Sequence, residues 1–247
     1  MLNIQTRHTV HKILAALRDG DFTHPGEIEA IDLMMKNVKK DNDQNILDIG
    51  SGLGGTTDYL NNNRFGNVIG IDIDSDHIQY ATKKYPNSHF IAADVLHAAD
   101  FLNQKFQLMI AMCSFFCFEK QKELLMELSK IADKNAELIV FDYSQPHAGQ
   151  TENPFSSSLP FHPIYLDTFK KNLLESGWQY QSHIDISDYF EKCYVMLLNK
   201  FDAKKEVLLS QFDHHLVNTM YSGYNKLLDA IHEKKIGGII VYARRSS

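Results

Sequence analysis

A glycine-rich segment preceded by a carboxylate is the part of this sequence best suited to binding a nucleotide-like ligand. It reads Asp48-Ile49-Gly50-Ser51-Gly52-Leu53-Gly54-Gly55, and its first two residues end the apolar run Asn45–Ile49. Glycines permit a tight turn and let a ligand approach backbone N–H groups closely. The spacing of Gly50, Gly52 and Gly55 matches a dinucleotide fingerprint, but this pattern alone fits NAD as well as other nucleotides.

Asp48 discriminates between these ligands because it stands two residues before the first glycine. A pyrophosphate bound at the start of the following helix would bring negative charge close to this carboxylate, which is costly at low dielectric. S-adenosylmethionine has no phosphate and carries an ammonium and a sulfonium, so the carboxylate need not repel it. The sequence therefore favours this cofactor. In the alternative interpretation, Asp48 only caps the loop.

Two further acidic residues follow the next two predicted strands. Asp72 comes 24 residues after Asp48, where an acidic residue can accept hydrogen bonds from both ribose hydroxyls. Asp94 follows the third strand, where a carboxylate can accept a hydrogen bond from an adenine amino group or can cap a helix. The three carboxylates together are typical of a site for a cationic nucleotide-like cofactor.

Alternating strands and helices must position these residues. The predicted strands are Asn45–Ile49, Asn67–Asp72, His89–Ala92, Phe106–Met112, Leu138–Tyr143, Gln179–Ile186 and Ile239–Ala243. The predicted helices are Thr6–Asp19, one that begins near Pro25, one from the glycine loop to about Asn63, Ser75–Lys84, Lys120–Ile131, Tyr165–Glu175, Asp202–Asn218 and Thr219–Lys235. This alternation predicts a parallel sheet with helices on both faces and right-handed crossovers.

Three motifs resemble those of the class I S-adenosylmethionine-dependent methyltransferases: Leu47–Gly55, Gly70-Ile71-Asp72-Ile73 and Ala93-Asp94-Val95. The resemblance covers roughly Ile46 to Tyr143. It implies an α/β, Rossmann-like seven-stranded sheet whose last strand is antiparallel, with S-adenosylmethionine as cofactor. The residues that it implies for cofactor binding are Phe22, Thr23, Asp48, Gly50, Ser51, Gly52, Asp72, Ile73, Asp94, Val95 and Met112.

A longer resemblance points to the phosphoethanolamine and small-amine N-methyltransferases. Phe22–Gly26 stands where phosphoethanolamine N-methyltransferases have an Ile-Ser-Ser-Gly-Gly stretch that covers the cofactor. Asp142-Tyr143, Ser187-Asp188-Tyr189, two late helices and the closing strand also resemble that group. The same outline occurs in glycine/sarcosine-type methyltransferases. The resemblance therefore implies methylation of a small molecule, with an amine nitrogen favoured as the acceptor.

The sequence departs from that group where the group binds its phosphorylated substrate. Cys113 and Cys117 occupy the positions of the group's Asp and His after the fourth strand. The loop that supplies a phosphate-binding Arg reads Leu159–Pro163 here, and no arginine lies between Arg64 and Arg244. A phosphorylated amine would lack its guanidinium partner. Phosphoethanolamine is therefore not expected as the substrate.

The residues that act on the acceptor are less clearly marked. Tyr143 and His162 are the catalytic candidates, because a methyl acceptor needs a positioned lone pair and an outlet for a proton. The candidate substrate-binding residues are His8, His11, Cys113, Cys117, Tyr165 and Tyr189. Both cysteines stand among phenylalanines and are also interpreted as buried apolar packing. No metal site is expected, since His214-His215 has no third ligand at metal spacing.

Length and composition limit the remaining function classes. The 247 residues are 44% hydrophobic and 23% charged, with 25 basic against 31 acidic residues and a formal charge of −6. A nucleic-acid binder usually shows a basic excess, so no nucleic-acid partner is expected. Three cysteines without a CxxC pair indicate a reducing compartment. We expect a cytoplasmic protein without a membrane partner and leave monomer and dimer open.

One nucleotide-type core with added segments accounts for the length. We expect a helical lid over residues 1–40 and a methyltransferase core over residues 41–247. Within the core, residues 144–163 form the expected substrate loop and residues 188–235 a helical cap insertion. Two other functions stay open: a nicotinamide-dependent oxidoreductase, and a non-catalytic protein with a methyltransferase fold.

Overall fold

The computed structural model describes residues 4–18, 20–147, 152–155 and 160–246, and the side chains from residue 9 onward. Within these residues, seven strands form one sheet in the order β3-β2-β1-β4-β5-β7-β6. The strands are β1 Asn45–Ile49, β2 Asn67–Asp72, β3 His89–Ala92, β4 Phe106–Met112, β5 Ala132–Ser144, β6 Trp178–Asp185 and β7 Gly237–Arg245. The helices are α1 Ile4–Leu17, α2 Glu27–Met35, α3 Gly55–Asn62, α4 Ser75–Lys84, α5 Ala98–Phe101, α6 Gln121–Ile131, α7 Leu166–Glu175, α8 Ser187–Gln211 and α9 His214–His232.

Strand β1 lies at the centre of the parallel part of the sheet. Asp48 on β1 is in register with Gly70 on β2 and with Ile110 on β4. Since these strands run parallel, the carboxyl ends of β1, β2 and β4 meet at one edge. Strand β7 inserts between β5 and β6 and runs antiparallel to both. The seven-stranded sheet with an antiparallel last strand is therefore confirmed.

Helices cover both faces of the sheet, each over its own apolar core. On one face α1, α2, α8 and α9 bury side chains such as Ile13, Met34, Phe190 and Leu227. On the other face α6 and α7 pack around the indole of Trp178, whose Nε1–H donates to the backbone oxygen of Leu125 at 2.9 Å. No helix of the described residues is long and apolar enough to cross a membrane.

The two late helices begin and end earlier than the expected Asp202–Asn218 and Thr219–Lys235. Helix α8 starts at Ser187 and α9 at His214, so that prediction is wrong. The apolar period of α8 already begins at Phe190, which is fully buried against the sheet. The break falls at Asp213, whose carboxylate accepts the Leu216 N–H at 2.8 Å and caps α9. An Asp in this role starts a new helix.

The segment that follows α1 is fastened to α4 through a buried carboxylate. Asp21 is 5% exposed and pairs with Lys84 at 2.6 Å. It also accepts a hydrogen bond from the hydroxyl of Tyr85 at 2.8 Å. On the other side of the N-terminal segment, Lys204 of α8 donates to the backbone oxygen of Ala16 in α1 at 2.7 Å. The N-terminal segment is thus held from both sides over the carboxyl edge of the sheet.

Replacing Asp21 by asparagine should loosen this attachment. Asp21→Asn removes the charge from both hydrogen bonds, and we expect the free energy of unfolding to fall by about 1–2 kcal/mol. The lower end applies if solvent screens the pair, because the Lys84 side chain is 45% exposed. Chemical denaturation measures the change. The matched control is Asp100→Asn, whose side chain is 81% exposed, and an equal loss in both variants would refute the attachment.

Candidate functional site

The glycine loop after β1 folds back across the end of β2. The N–H groups of Gly50 and Ser51 both donate to the backbone oxygen of Ile71, at 2.8 and 3.0 Å. The N–H of Gly52 donates to Oδ2 of Asp72 at 2.9 Å. Gly50 and Gly52 have φ values of +75° and +52°, which favour glycine. The loop and the Asp72 carboxylate are therefore one hydrogen-bonded unit.

Gly50 is needed for close packing as well as for its backbone conformation. A Cβ atom at this position would lie 2.6 Å from the Cβ of Ser114, at the end of β4. The Ser114 hydroxyl in turn donates to the backbone oxygen of Ile49 at 2.7 Å. The loop that follows β4 thus lies directly against the glycine loop.

Asp48 is a buried carboxylate without a cationic partner among the described residues. It is 2% exposed, and its Oδ2 accepts a hydrogen bond from the Thr57 hydroxyl at 2.7 Å. Burial raises the pKa of Asp48 to about 7, with a smaller upward contribution from the charge of Asp72 and only partial relief from Thr57. A cation placed beside this carboxylate would favour its ionised form.

Asp72 has the opposite electrostatic balance. Burial alone would raise its pKa, but the neighbouring His77 side chain and the N–H groups of Asp74 and Gly52 outweigh burial and lower it. The N–H of Asp74 lies 2.8 Å from Oδ1 of Asp72, and Nδ1 of His77 lies 3.7 Å from the same oxygen. Asp72 is therefore ionised at neutral pH.

Histidines from two elements meet beside this carboxylate. The rings of His11 on α1 and His77 on α4 stack at a centroid distance of 4.1 Å and an angle of 19°. A Cβ atom on Gly52 would lie 3.6 Å from both the His11 ring and the Thr23 hydroxyl. The N-terminal segment thus reaches the glycine loop through Thr23, a predicted cofactor residue, and through His11, which was predicted to bind the substrate instead. Sequence reasoning did not single out His77, although it follows Asp74 by three residues in the first turn of α4.

The remaining predicted cofactor residues lie along the same edge in different environments. Phe22, Val95 and Met112 are buried, whereas Ile73 is 65% exposed directly after Asp72. Asp94 accepts the Leu96 N–H at 3.0 Å and caps a short 3₁₀ turn. The capping alternative for Asp94 therefore holds, and capping by one carboxylate oxygen does not prevent the other from accepting a further bond.

The chemistry of these donors fits a cofactor that carries positive charge. Across the described residues, no lysine or arginine forms an ion pair with Asp48 or Asp72. The hydroxyl oxygen of Ser51 is buried and has no hydrogen-bond partner in that part of the chain. Such an orphaned atom marks a position where a ligand can bond. The ammonium, sulfonium and ribose hydroxyls of S-adenosylmethionine suit this set, whereas a pyrophosphate would meet two carboxylates.

An aromatic group surrounds Tyr143 at the end of β5. The rings of Phe116, Phe155, Phe161, Phe190 and Tyr194 lie 5.0–6.4 Å from the Tyr143 ring, centroid to centroid. We call these six residues the Tyr143 cluster. The hydroxyls of Tyr143 and Tyr194 share a hydrogen bond. Burial raises the pKa of Tyr143 well above its ordinary value, so Tyr143 acts as a neutral hydrogen-bonding group.

Cys113 and Cys117 differ in their surroundings. Cys113 has a φ of +49° at the end of β4, a strained conformation for a non-glycine residue. Burial raises the pKa of its thiol well above the ordinary value, so the thiol stays protonated. Cys117 is exposed, which corrects the expectation of buried packing. The short turn Phe115–Cys117 buries its two phenylalanines and directs Cys117 outward.

The other acceptor candidates do not gather at the Tyr143 cluster. His162 and Tyr165 line a separate pocket of about 510 Å³ beside α6 and α7. The segment that contains His162 is held there by the turn after β4, because the His162 N–H donates to the backbone oxygen of Phe116 at 2.7 Å. His8 lies in α1, and its side chain is outside the described part. Tyr189 borders a pocket on the opposite side, together with Arg18.

Arg18 was not predicted from the sequence as a site residue. It supplies a guanidinium although no arginine lies between Arg64 and Arg244. It follows α1 and is only 3% exposed. Its spacing could have indicated burial, because Arg18 follows Val10 and Leu14 at intervals of four and so continues the apolar face of α1. A buried guanidinium therefore does reach the acceptor side of the site, from the N-terminal segment rather than from the loop after β5.

Comparison with known proteins identifies the family. A sequence profile described as a methyltransferase domain matches residues 40–218. This chain belongs to that methyltransferase domain family. The cofactor of the family is S-adenosylmethionine, in agreement with the acidic donor set around the glycine loop, where no described lysine or arginine pairs with Asp48 or Asp72. The resemblance seen in the three sequence motifs is thereby confirmed.

Relatives of known structure or activity share the fold at low identity. The phosphoethanolamine N-methyltransferase of Plasmodium falciparum is 21% identical over 214 residues, which are 83% of this chain and 80% of that protein. The Haemonchus contortus phosphoethanolamine N-methyltransferase 2, solved with phosphomonomethylethanolamine and S-adenosylhomocysteine, superposes with a TM-score of 0.87 at 14% identity. It covers 99% of this chain, but this chain spans only 60% of its length.

A second structural relative has a different product. The cyclopropane synthase MmaA2 of Mycobacterium tuberculosis superposes with a TM-score of 0.85 at 11% identity, covering 98% of this chain and 97% of its own. At such identities the similarity shows the fold alone. The acceptor of this chain must therefore be inferred from its own residues.

The buried carboxylate of Asp48 predicts an unusual dependence of stability on pH. In the ligand-free protein the folded state keeps the Asp48 proton up to about pH 7, whereas an unfolded aspartate loses it near pH 4. Between these values the folded state binds more protons, so stability falls as pH rises, by up to about 1.4 kcal/mol per pH unit for this group. The difference between wild type and Asp48→Asn in urea titrations isolates this contribution.

The same difference should be independent of pH below about pH 4 and above about pH 7, and change only between these values. Asp142, whose pKa burial also raises to about 7, adds a slope of the same sign that both proteins share. Asp76→Asn, an exposed neighbour of Asp72, serves as the control. An Asp48→Asn variant that tracks wild type across this window would show that Asp48 is not a buried acid of raised pKa.

Proposed function

We propose that this chain transfers the methyl group of S-adenosylmethionine to the nitrogen of a small-molecule amine. The observation that carries the proposal is the pairing of an acid-lined glycine loop, which no described lysine or arginine neutralises, with a buried aromatic cluster at the end of β5. When bound, the cofactor supplies an electrophilic methyl group on a sulfonium. The chain's own residues bind the cofactor, and they bind and orient the acceptor.

The carboxyl edge of β1, β2 and β4 is the proposed cofactor site. Asp48 attracts the ammonium group of the cofactor's amino acid end, and Asp72 accepts hydrogen bonds from the ribose hydroxyls. The exposed side chain of Ile73 offers an apolar surface beside Asp72, with Asp94 as a further acceptor for the adenine. The backbone around Gly50, Ser51, Gly52 and Val95, and the side chains of Phe22, Thr23 and Met112, complete the proposed enclosure.

The Tyr143 cluster is the proposed binding place for the acceptor amine. Burial among aromatic rings favours the neutral amine, whose lone pair is the nucleophile, because desolvation penalises the ammonium form. As the nitrogen gains a fourth bond it becomes cationic, and the faces of the surrounding rings stabilise that charge. Stabilisation that appears only as charge develops lowers the barrier rather than tightening ground-state binding.

Tyr143 is proposed to orient the amine rather than to remove its proton. Its hydroxyl is hydrogen-bonded to that of Tyr194, so one of the two oxygens retains a lone pair that can accept an N–H from the acceptor. Asp142 fixes the backbone of this site, since its carboxylate accepts the N–H groups of Tyr143 at 2.7 Å and Phe116 at 3.2 Å. His162 lines the separate pocket beside α6 and α7, so we do not propose it as a base.

A turnover screen with labelled S-adenosylmethionine tests the proposal. The panel should contain primary and secondary amines with matched phenols and carboxylates, and we expect labelled product from amines. Tyr143→Phe should lower kcat/KM by about 10–100-fold, the range expected for one lost orienting hydrogen bond. Its affinity for S-adenosylhomocysteine should not change, because the cofactor contacts are elsewhere. Tyr180→Phe, which alters a half-buried tyrosine on β6, is the control.

The outcomes of this screen separate the competing functions. Labelled phenols or carboxylates in place of amines would contradict a nitrogen acceptor. Binding of S-adenosylhomocysteine with no turnover of any compound would support a non-catalytic protein with this fold. A cytoplasmic location stays a prediction.

A further inference from the structure

A second pocket opens between the N-terminal segment and α8, outside the Tyr143 cluster. Its volume is about 310 Å³. Its walls are Phe22, Gly26 and Glu27 on one side, and Tyr189, Cys193 and Leu197 of α8 on the other. Arg18 also lines it, so we call it the Arg18 pocket. Of the residues assigned to the cofactor, only Phe22 lines this pocket.

Arg18 is buried in this pocket with an unsatisfied nitrogen. The residue is 3% exposed, and its Nη1 has no hydrogen-bond partner within the described ranges. Arginine stays charged in proteins, and its surroundings reinforce this. Burial lowers the pKa of Arg18, but interactions with Tyr224, Tyr194 and Glu27 outweigh burial and raise it. A buried charge without a partner is strongly unfavourable, so its presence points to an anionic ligand.

The acidic side chain that attracts Arg18 does not form an ion pair with it. Glu27 attracts it electrostatically, but no described carboxylate lies within ion-pair distance of the guanidinium. Glu27 is only half-buried, so water can solvate its carboxylate. The φ of Glu27 is +45°, which is strained for a non-glycine residue. Strain of this kind is found at ligand-binding positions.

The first turn of α2 contributes a second attraction for an anion. The helix begins at Glu27 after Gly26, and no side chain caps it. Its first N–H groups therefore lack partners within the helix, and the positive end of its dipole faces this pocket. Glu27 and Glu29 stand at the same helix end, with Lys192 and Lys200 across the pocket on α8. These two acidic and two basic side chains offset each other, which leaves Arg18 as the net positive charge of the pocket. A ligand with one negative charge matches it better than a doubly charged phosphate.

The Arg18 pocket is adjacent to the proposed acceptor site. Cys193 lines the pocket, and its neighbour Tyr194 on α8 belongs to the Tyr143 cluster. Arg18 interacts electrostatically with Tyr194 and with Cys113 at the end of β4. The Arg18 guanidinium therefore lies close enough to the hydroxyls of Tyr143 and Tyr194 to interact with them electrostatically.

We propose that the Arg18 pocket binds a carboxylate carried by the methyl acceptor, so that the substrate class is an amine that also bears a carboxylate. The guanidinium and the first N–H groups of α2 hold the carboxylate. The amine then lies among the aromatic rings of the Tyr143 cluster. This inference rests on the proposed methyl transfer for the identity of the ligand, but the anion site can be tested without turnover.

The binding test uses benzoate and benzamide, which have the same shape and differ in charge. Calorimetry on the full chain saturated with S-adenosylhomocysteine should show benzoate binding at least tenfold more tightly than benzamide. Arg18→Gln should abolish this preference, and Arg18→Lys should retain part of it. Arg64→Gln, the same change at an exposed arginine, should leave it intact. Equal affinities in wild type, or a preference that survives Arg18→Gln, would overturn the anion site.

Folding of the variants must be verified separately, because Arg18 is buried. Unchanged affinity for S-adenosylhomocysteine reports an intact core. If Arg18→Gln does not fold, Arg18→Met supplies a neutral side chain of similar length. The same loss of benzoate preference is then expected of Arg18→Met, and a retained preference would overturn the proposal.

The activity test compares amino acids of increasing length with their amides: glycine, β-alanine and γ-aminobutyrate. We expect kcat/KM to be at least 30-fold higher for the acid member of the best pair and this ratio to approach one in Arg18→Gln. Turnover of amines without any acid preference would contradict the carboxylate assignment and leave methyl transfer standing. No turnover of either member, with benzoate discrimination intact, would contradict the proposed function while leaving the anion site.

Discussion

Three hydrogen bonds between the glycine loop and the end of β2 fix the geometry on which the rest of this site depends. Gly50 and Ser51 donate to Ile71, and Gly52 donates to the carboxylate of Asp72. These bonds require β1 and β2 to be parallel neighbours, which the sheet order provides. Because the loop is held there, Asp48 and Asp72 share one edge, and the N-terminal segment can pack over that edge through His11 and Thr23.

Charge is distributed unequally across the site. The cofactor side holds buried carboxylates that no described lysine or arginine neutralises, and burial raises the pKa of Asp48 to about 7. The opposite side holds Arg18, a buried cation whose Nη1 has no hydrogen-bond partner in the described residues. An isolated buried charge of either sign is costly. The two sides therefore favour ligands of opposite charge, a cationic cofactor and an anionic acceptor group.

The sequence predicts those elements and site residues correctly for which the local apolar pattern and the sheet topology agree. Strands β1 to β4 are apolar runs that end at turn residues, and Asp48 and Asp72 follow from their place at strand ends. The bounds of α8 and α9 were wrong because both helices have polar faces with continuous helical spacing, and only the Asp213 cap marks the break. Arg18, His77 and the exposure of Cys117 depend on contacts between distant segments, which spacing along one segment does not reveal.

The central claim is that Asp48 recognises a cationic cofactor. The most direct test is calorimetry with S-adenosylhomocysteine and with NADH, on the wild-type chain and on the Asp48→Asn variant. The account predicts sub-millimolar binding of S-adenosylhomocysteine by wild type, at least tenfold weaker binding by Asp48→Asn, and no comparable binding of NADH. NADH binding as tight as that of S-adenosylhomocysteine, or an affinity unaffected by Asp48→Asn, would contradict it.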